Sequence, residues 1–586
     1  MPSLQISPSI KPAEKLFLCL WMVFCFLVLT YKLGEVPPYH ADENFYVESS
    51  LRMVESGDYI TPVYHDKKRF AKPILYYWMV ASSYELFGVS LSSARLPSVI
   101  FGTLSIGLVF LLAFRLFDSR VGMFSALILP SIYLHFQISR WSTTDMALSF
   151  FILLALYFFV LSFKTEFKEN AYAYLFYLSM GLGFMVKGPP AILIPCLIVL
   201  GFLIAIRKKN WFRDLRVAQG LFILAVMILP WFVAMFWMHG EEFKNHIVGN
   251  EIKNRLVHST PFSFYYFGVL FRYQLPWSLF FLLAVIKQLG FLDYVSEKGA
   301  SLFKRIKGLG RNTWEYVKQI FKEGNESVAI CYIWIIVCLA LFTLLRVEHS
   351  RYMLPSCPAV AILTARLFAE VEKSSWGLKI FGFKGSVFAT ALIFLVFSIL
   401  TVVGILIYGS VPEGIFSLPI FLIVGAISLI WFARIKSVNK LVFSLGLVLV
   451  LTFGSLSGDV LPFANRYPMK SFANHITREK FSGPIAVYKL GSHRARLGVL
   501  TGRTVLKLHS PGELKKILET NQKIYLVIKK SDWEQEKLNS SLEVLMTDEI
   551  AKKTRIKTIE ITGLFDREKL RDILNSTEKI YLMGNV

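Results

Sequence analysis

Thirteen stretches of mostly apolar residues recur along this chain, near residues 13–33, 94–115, 121–138, 145–163, 171–187, 189–206, 217–238, 275–290, 328–346, 355–372, 386–408, 414–434 and 440–461. About 20 such residues are what a helix needs to cross the hydrocarbon core of a bilayer. In lipid no water is present to satisfy a backbone N–H or C=O, so a lone stretch of this kind crosses only as an α-helix. The segment 73–87 is also apolar but too short, and reads as an interfacial or re-entrant helix. A polytopic α-helical membrane protein with about 13 transmembrane helices is therefore expected. The composition excludes the alternatives: 54% of the 586 residues are hydrophobic and only 18% charged. An average soluble chain has about 25% charged residues, and a disordered one lacks this much apolar surface.

At the start, Lys11 and Lys15 precede the apolar run Leu16–Leu29, as in a signal peptide. No small-residue cleavage site follows, since Tyr31, Lys32 and Leu33 come next, so the first span is expected to be retained. The six cysteines, Cys19, Cys25, Cys196, Cys331, Cys338 and Cys357, lie in or against apolar stretches without a CxxC spacing and are expected to be buried small hydrophobes.

A net charge of +23 raises the question of a nucleic-acid partner. The location of the charge answers it. Lys and Arg accumulate in short cytoplasmic loops of membrane proteins. With the N-terminus inside, the basic loops fall on the cytoplasmic side: Arg207 to Arg213, the stretch 291–327 with Lys298, Lys304, Arg305, Lys307, Arg311, Lys318 and Lys322, and the turn with Arg434, Lys436 and Lys440. The stretch 291–327 reads as a basic amphipathic surface segment. An odd number of spans puts the C-terminal tail on the outer side. No nucleic acid is needed to explain the charge, and none is expected as a partner.

Beyond Pro462 the pattern changes. Short β-rich runs (Ile485–Leu490, Thr504–Leu508, Ile524–Ile528, Ile556–Ile561, Ile580–Met583) alternate with polar helical stretches (Glu513–Glu519, Asp532–Leu538), the pattern of a small α/β domain. The expected division is a membrane domain, residues 1–461, with a long outer loop at 34–93, and a soluble domain, residues 462–586. From Asn465 onward 23 basic against 14 acidic residues leave about +9, which suits an anionic membrane surface.

The outer loops hold the residues that suggest chemistry. Loop 34–93 contains His40-Ala41-Asp42-Glu43-Asn44, an amphipathic run to Glu55, then Ser56-Gly57-Asp58-Tyr59-Ile60-Thr61-Pro62 and Arg69-Phe70-Ala71-Lys72-Pro73. Asp145 begins the fourth span, Lys187 ends the fifth before Gly188-Pro189-Pro190, and Arg351-Tyr352-Met353-Leu354-Pro355 closes a later outer loop. Singly, Asp42 and Glu43 read equally well as acids favoured in a helix first turn, Asp145 as an N-cap and Arg351 as an interfacial anchor. Together they place costly ionisable groups on one side of the membrane, as a functional path would.

This motif series, Asp-Glu, Ser-Gly-Asp-Tyr-Ile-Thr-Pro, Lys72-Pro73-Ile74-Leu75-Tyr76-Tyr77-Trp78, Ala94-Arg95-Leu96-Pro97-Ser98, Lys-Gly-Pro and Arg-Tyr-Met-Leu-Pro, resembles in its order the bacterial aminoarabinose (lipid A) transferases. These are grouped with the protein O-mannosyltransferases among the C-type glycosyltransferases, which use polyprenyl-phosphate sugars. The resemblance covers about residues 10–460. It implies a C-type glycosyltransferase fold in a bacterial inner membrane, with the active site and C-terminus facing the periplasm. It further implies Asp42 and Asp145 as catalytic acids, and Lys72, Arg255 (in Asn250-Glu251-Ile252-Lys253-Asn254-Arg255) and Lys187 as cations for the lipid-linked phosphate. Glu43, Arg351 and Tyr352 would line the substrate pocket. The implied partners are an undecaprenyl-phosphate sugar donor, a lipid A or glycolipid acceptor and membrane lipids. Members of the group often carry Glu before the lysine, as part of a metal site; this chain has Ala71 there, and with only His349 near the other ligand's region no cofactor or bound metal is expected. Transfer to protein Ser/Thr hydroxyls is the nearest rival reading, and a lipid or sugar transporter a more distant one, which the absence of an internal sequence repeat disfavours.

Overall fold

The structure is a computed structural model, and it describes residues 10–36, 38, 41–247, 249, 263–289, 324–373, 382–408, 411–464, 469–479, 481–490, 493–519, 523–536, 542–551 and 577–585. Each of the thirteen predicted spans falls on helical residues, that at 121–138 on two helices joined by a turn. In chain order these helices and their companions are α1 (Pro12–Thr30), α2 (Ala41–Ser56), α3 (Leu75–Phe87), α4 (Leu91–Leu116), α5 (Ser119–Ile128), α6 (Tyr133–Ser139), α7 (Thr144–Lys164), α8 (Asn170–Lys187), α9 (Pro190–Ala205), α10 (Trp211–Asp214) and α11 (Val217–Asn245). Then come α12 (Tyr265–Arg272), α13 (Trp277–Gln288), α14 (Glu326–Leu345), α15 (Cys357–Lys373), α16 (Phe383–Tyr408), α17 (Ser417–Arg434) and α18 (Val438–Ser455). Among the described residues nine helices are long and apolar enough to cross a membrane, or eleven if each of two bent pairs counts as one span. One bent pair is α5–α6, broken by 63° at Ile132, whose backbone is extended (φ −79°, ψ 122°) just after the turn Leu129–Ser131. The other is α12–α13, bent by 113°. Helices α8 and α9, of 18 and 16 residues, lie in the remaining predicted positions.

Membrane helices are apolar on every side, and the structure shows how the two faces are used. In α1, Trp21, Cys25 and Leu29 recur at helical spacing on the buried face, while Leu16, Leu20, Val23 and Leu27 stay exposed, as lipid-facing residues do. The cysteines divide the same way: Cys25, Cys331, Cys338 and Cys357 are buried as expected, whereas Cys19 and Cys196 lie on outward faces, because apolarity alone does not separate protein from lipid.

The helix ends gather at two opposite faces. At one, Asp118 before α5 meets Lys373 at 3.5 Å, Arg120 meets Glu372 at 3.2 Å, Asn439 of α18 donates to Glu372 at 3.0 Å, and Ser327 of α14 donates to the Leu116 carbonyl. The other face collects the end of α1, the starts of α4 and α7, the end of α8 and the end of α18, with Lys32 and Asp459 paired at 2.7 Å. Loop 34–93 sits on this second face. Its α3 is the predicted short apolar helix, and its exposed Trp78, Leu86 and Phe87 suit an interface. A two-residue hairpin pairing β1 (Val63–Tyr64) with β2 (Lys67–Lys68) joins α2 to α3.

The C-terminal region also lies on this face. Among the described residues it has helices α19 (Leu461–Ala464), α20 (Met469–Arg478), α21 (His493–Thr501), α22 (Pro511–Leu518) and α23 (Lys530–Glu536). Its strands are β3 (Ile485–Tyr488), β4 (Leu506–Leu508), β5 (Tyr525–Lys529), β6 (Glu543–Ala551) and β7 (Thr577–Gly584), in the sheet order β4-β3-β5-β7-β6. β3 pairs in parallel with β4 and β5, and β7 runs antiparallel to β5 and β6. Alternation sends Ile485 and Val487 to one face, against α20 and α21, and Ala486 and Tyr488 to the other, against Leu514 of α22. Four of the five predicted strand runs are found; Ile556–Ile561 lies outside the described residues, and β6, with Glu543, Asp548 and Glu549 on an edge, did not stand out as apolar.

Close helix approach depends on small residues, as in other membrane bundles. A Cβ built on Gly425 of α17 would lie 2.6 Å from the Val448 Cγ1 of α18 and 2.9 Å from the Phe394 ring of α16. Gly425→Ala is expected to cost about 1–3 kcal/mol by overpacking, read as a lowered midpoint of thermal unfolding in detergent.

Candidate active site

The second face is built around a buried ion pair. Arg95, in the first turns of α4, is 3% exposed, and Glu43, in the first turn of α2, is wholly buried. The guanidinium meets the carboxylate in a two-pronged contact, Nε to Oε1 at 2.7 Å and a terminal nitrogen to Oε2 at 3.0 Å. Its other terminal nitrogen donates to the carbonyls of Leu33 (2.6 Å) and Val36 (2.9 Å), and Glu43 Oε1 also accepts the Ser142 backbone N–H at 2.9 Å. One pair thus joins the chain after α1, the start of α2, α4 and the turn before α7. Glu43 is therefore a wall residue that sets the place of its neighbour.

That neighbour is Asp42. Its carboxylate, more than a third exposed, accepts from Arg351, whose Nε also lies 3.5 Å from Asp145 Oδ2. The other oxygen of Asp145 accepts from Lys187. Asp42, Arg351, Asp145 and Lys187 form a continuous chain of alternating charge whose last three members are about nine-tenths buried or more. Local structure explains the placement. Asp145 is in the first turn of α7 and Lys187 is the last residue of the adjoining α8, so each charge sits at the helix end whose dipole favours it. Gly188, at a φ of 90°, ends α8 in a conformation that a side chain would resist, and Pro190 opens α9. Arg351 is presented by the 3₁₀ turn Ser350–Ser356, and the neighbouring Tyr352 ring receives Lys187 Nζ at 5.0 Å from its centre.

Buried aromatic rings wall the site. Tyr46 packs against Tyr76 and Tyr77 with ring centres 5.0 Å apart, and Tyr76 shares a 2.8 Å hydrogen bond with Ser98. Burial pushes the phenols of Tyr46 and Tyr77 upward, so both act as neutral hydroxyls. The Arg69 guanidinium lies 3.6 Å from the centre of the Phe45 ring and donates to the Tyr77 hydroxyl at 3.2 Å. Lys72 is half-buried in the turn that leads from Arg69 into α3. Arg255 lies outside the described residues. The sequence reading gave no role to Arg95, Arg69 or Arg140, although an arginine near the end of an apolar span is itself a signal. Arg140 donates to four carbonyls, Val28, Leu29, Tyr31 and Lys32, capping the end of α1.

The residues present do not fit the metal site that the resemblance implies for members with Glu before the lysine. Ala71 has no ligand atom, and the His349 ring packs edge-on against Tyr352 at 5.3 Å. Among the described residues, no three His, Cys, Asp or Glu side chains converge as a metal site would require.

Two cavities adjoin this face. One of about 680 Å³ is lined by apolar residues of α16–α18, including Phe394, Leu400, Leu422, Leu449 and Phe453. The second, of about 230 Å³, is lined by Arg95, Gln137, Arg140, Trp141 and Ser457. Tyr133 lines both, so an apolar space meets a cationic one, a shape that suits an amphiphile.

The helices and the α/β tail together have the fold of a solved polytopic membrane glycosyltransferase. The chain superposes on ArnT from Cupriavidus metallidurans bound to undecaprenyl phosphate with a TM-score of 0.70, covering 97% of this chain and 98% of that one at 18% identity. The profile of the dolichyl-phosphate-mannose-protein mannosyltransferase family matches residues 71–234. The undecaprenyl phosphate-alpha-4-amino-4-deoxy-L-arabinose arabinosyl transferase of Enterobacter sp. (strain 638) is 27% identical over 376 residues, 62% of this chain and 61% of that protein. The one from Aeromonas hydrophila is 26% identical over 440 residues, 72% of this chain and 73% of that one. An uncharacterized protein of Aquifex aeolicus is 26% identical over 340 residues, 57% of this chain and 60% of that one, so the chain spans about three fifths of the first curated relatives it matches. The resemblance read from the motif order holds in both sequence and fold.

Removing one partner of a buried ion pair leaves an uncompensated charge, a loss of about 3–5 kcal/mol. Arg95→Met is expected to destabilise by that order in detergent thermal unfolding, and the double variant Arg95→Met, Glu43→Leu to recover most of the loss.

Proposed function

We propose that this protein transfers a sugar, aminoarabinose or a relative of it, from undecaprenyl phosphate to lipid A or a related glycolipid. The reaction would occur at the periplasmic face of a bacterial inner membrane, within the membrane domain of residues 1–461. The observation that carries the reading is the charge chain from Asp42 through Arg351 and Asp145 to Lys187, with its one exposed acid at the outer loop. The paired cavities, the smaller of them lined by Arg95, support lipid substrates, and the sorting of Lys and Arg supports the orientation.

A sugar on a polyprenyl monophosphate is already activated by its leaving group. The acceptor oxygen attacks the anomeric carbon while the carbon–oxygen bond to phosphate breaks, its electron pair leaves on the phosphate, and in-line displacement inverts the centre. Lys72 and Arg255 neutralise the phosphate oxygens as charge develops there. With a hydroxyl acceptor, the proton passes to Asp42. With an acceptor phosphate that is already ionised, no proton moves and Asp42 orients the nucleophile through its tie to Arg351. Ala71 leaves the site without the carboxylate that a metal would need there, so transfer proceeds without a divalent cation.

The match of residues 71–234 to a protein mannosyltransferase profile supports transfer to Ser/Thr hydroxyls as a second reading. Mass spectrometry of lipid A and of envelope glycoproteins, with and without the gene, separates the two: the proposal expects a sugar-sized mass change on lipid A and none on protein. Asp42→Asn and Lys72→Ala are each expected to lower transfer by roughly 100-fold or more at unchanged expression and membrane insertion. Unaltered lipid A modification in both variants would overturn the reading. Assay in the presence of a chelator is expected to leave the rate unchanged.

A further inference from the structure

The tail takes no role in the chemistry just described, yet its helix α21 makes an unusual contact with α2, the helix that begins with Asp42. Helix α2 carries Glu48, Arg52 and Glu55 as one stripe at helical spacing. Arg494 of α21, only 2% exposed, inserts its guanidinium between this stripe and the β1–β2 hairpin. It reaches Asp66 Oδ2 at 3.0 Å and Oδ1 at 3.3 Å, and Glu48 Oε1 at 3.6 Å. Arg52 closes the cluster on the same two acids, at 2.6 Å from Asp66 and 3.6 Å from Glu48.

The contact extends to both ends of α2. At its start, Arg496 donates to the Pro38 carbonyl at 2.8 Å, four positions before Asp42, and Lys470 of α20 meets Glu35 at 2.6 Å. At its end, Glu55 accepts the Thr504 backbone N–H at 2.9 Å and the Thr504 hydroxyl. In between, Val499 of α21 is buried in the same apolar cluster as Leu51 and Met53.

We propose that the C-terminal α/β region is a clamp that sets the axial and rotational position of α2, with Arg494 and Arg496 as positioning residues that aim Asp42 at Arg351. The proposal rests on the reading of Asp42 as the acid that meets the acceptor. Most of a helix's stability in a protein comes from tertiary packing, so the place of this 16-residue helix is set by what packs on it. A loose tether between two domains would not desolvate an arginine. Arg494 supplies a planar fork that matches the carboxylate of Asp66, and its charge opposes the burial that pushes the Glu48 carboxyl upward. Without that charge Glu48 loses its buried partner, and the middle of α2 is released from the tail. A shift of about 1 Å at a reacting group is enough to lower a rate by about 100-fold.

The test uses the full chain with a lipid-linked sugar donor, comparing Arg494→Ala, Arg494→Lys, Arg496→Ala and Asp66→Asn with wild type. Asp66→Asn keeps the side-chain shape at a site that is 65% exposed, so it reports on the clamp even where loss of the buried arginine unfolds the tail. The expected result for Arg494→Ala and Arg496→Ala is a fall in kcat of about 10- to 100-fold with the KM for donor little changed. Hydrogen exchange should quicken over residues 41–56 while the spans keep their protection. Arg494→Lys, which keeps the charge without the fork, should recover some of the lost kcat, and Asp66→Asn should show a smaller fall of the same kind. Wild-type kcat in Arg494→Ala or in both Arg496→Ala and Asp66→Asn, or unchanged exchange over 41–56, would overturn the proposal. Asp42→Asn run alongside separates the two ideas: if it is inactive and the clamp variants are normal, only the clamp fails; if it is active, the role of Asp42 fails first.

Discussion

A buried arginine in an apolar helix has to find enough acceptors to replace the water it gave up, and in Arg95 that need organises the face on which loop 34–93 sits. Its guanidinium takes both oxygens of Glu43 and two carbonyls from the chain after α1, and Glu43 in turn takes an amide just before α7. Four segments distant in sequence are thereby held to one point. Asp42 is one residue away, so its backbone inherits that rigidity while its own carboxylate stays outside this pair and reaches Arg351.

The same rule of compensation shapes the next layer. Asp145 and Lys187 are each placed where a helix dipole favours them, and they pair with each other, so neither is an isolated charge at membrane depth. Arg351 then links this inner pair to Asp42 at the surface. Exposure is concentrated at the Asp42 end of the chain, and on the proposed reading that carboxylate is where an acceptor is met.

Much of this was legible in the sequence, and what was not has a physical cause. Spans are readable because about 20 apolar residues have few other fates, and each predicted stretch is helical, though 121–138 is broken into two helices. The strands of the tail were found where both faces are buried, as at Ile485–Tyr488. Edge strand β6 escaped because its polar residues break the apolar run. Asp42, Asp145, Lys187 and Arg351 were singled out by topology and motif order, and the structure joins these four in one chain, whereas Arg255 lies outside the described residues. What the sequence hid is pairing: the bond of Glu43 to Arg95 was not foreseen, and nothing in the tail's composition pointed to Arg494, whose partners are more than 400 positions away. Pair identity is a property of three-dimensional register, and residue type alone does not carry it.

The charge chain also sets a limit on its own role. Two acids and two bases neutralise one another, so the chain carries no net charge with which to attract an anionic lipid phosphate, and Lys187 is already paired with Asp145. On the proposed reading the attraction therefore comes from cations beside the chain. Arg69 and Lys72 stand three residues apart in the turn before α3, and Arg69 is engaged by a ring face and a phenol, partners that leave its charge largely intact. A neutral relay for the acceptor next to a cationic turn for the leaving phosphate divides the two demands of the reaction between two sets of residues. It also explains why loop 34–93 has to be held firmly, from below by Arg95 and from above by the tail: both sets meet on it.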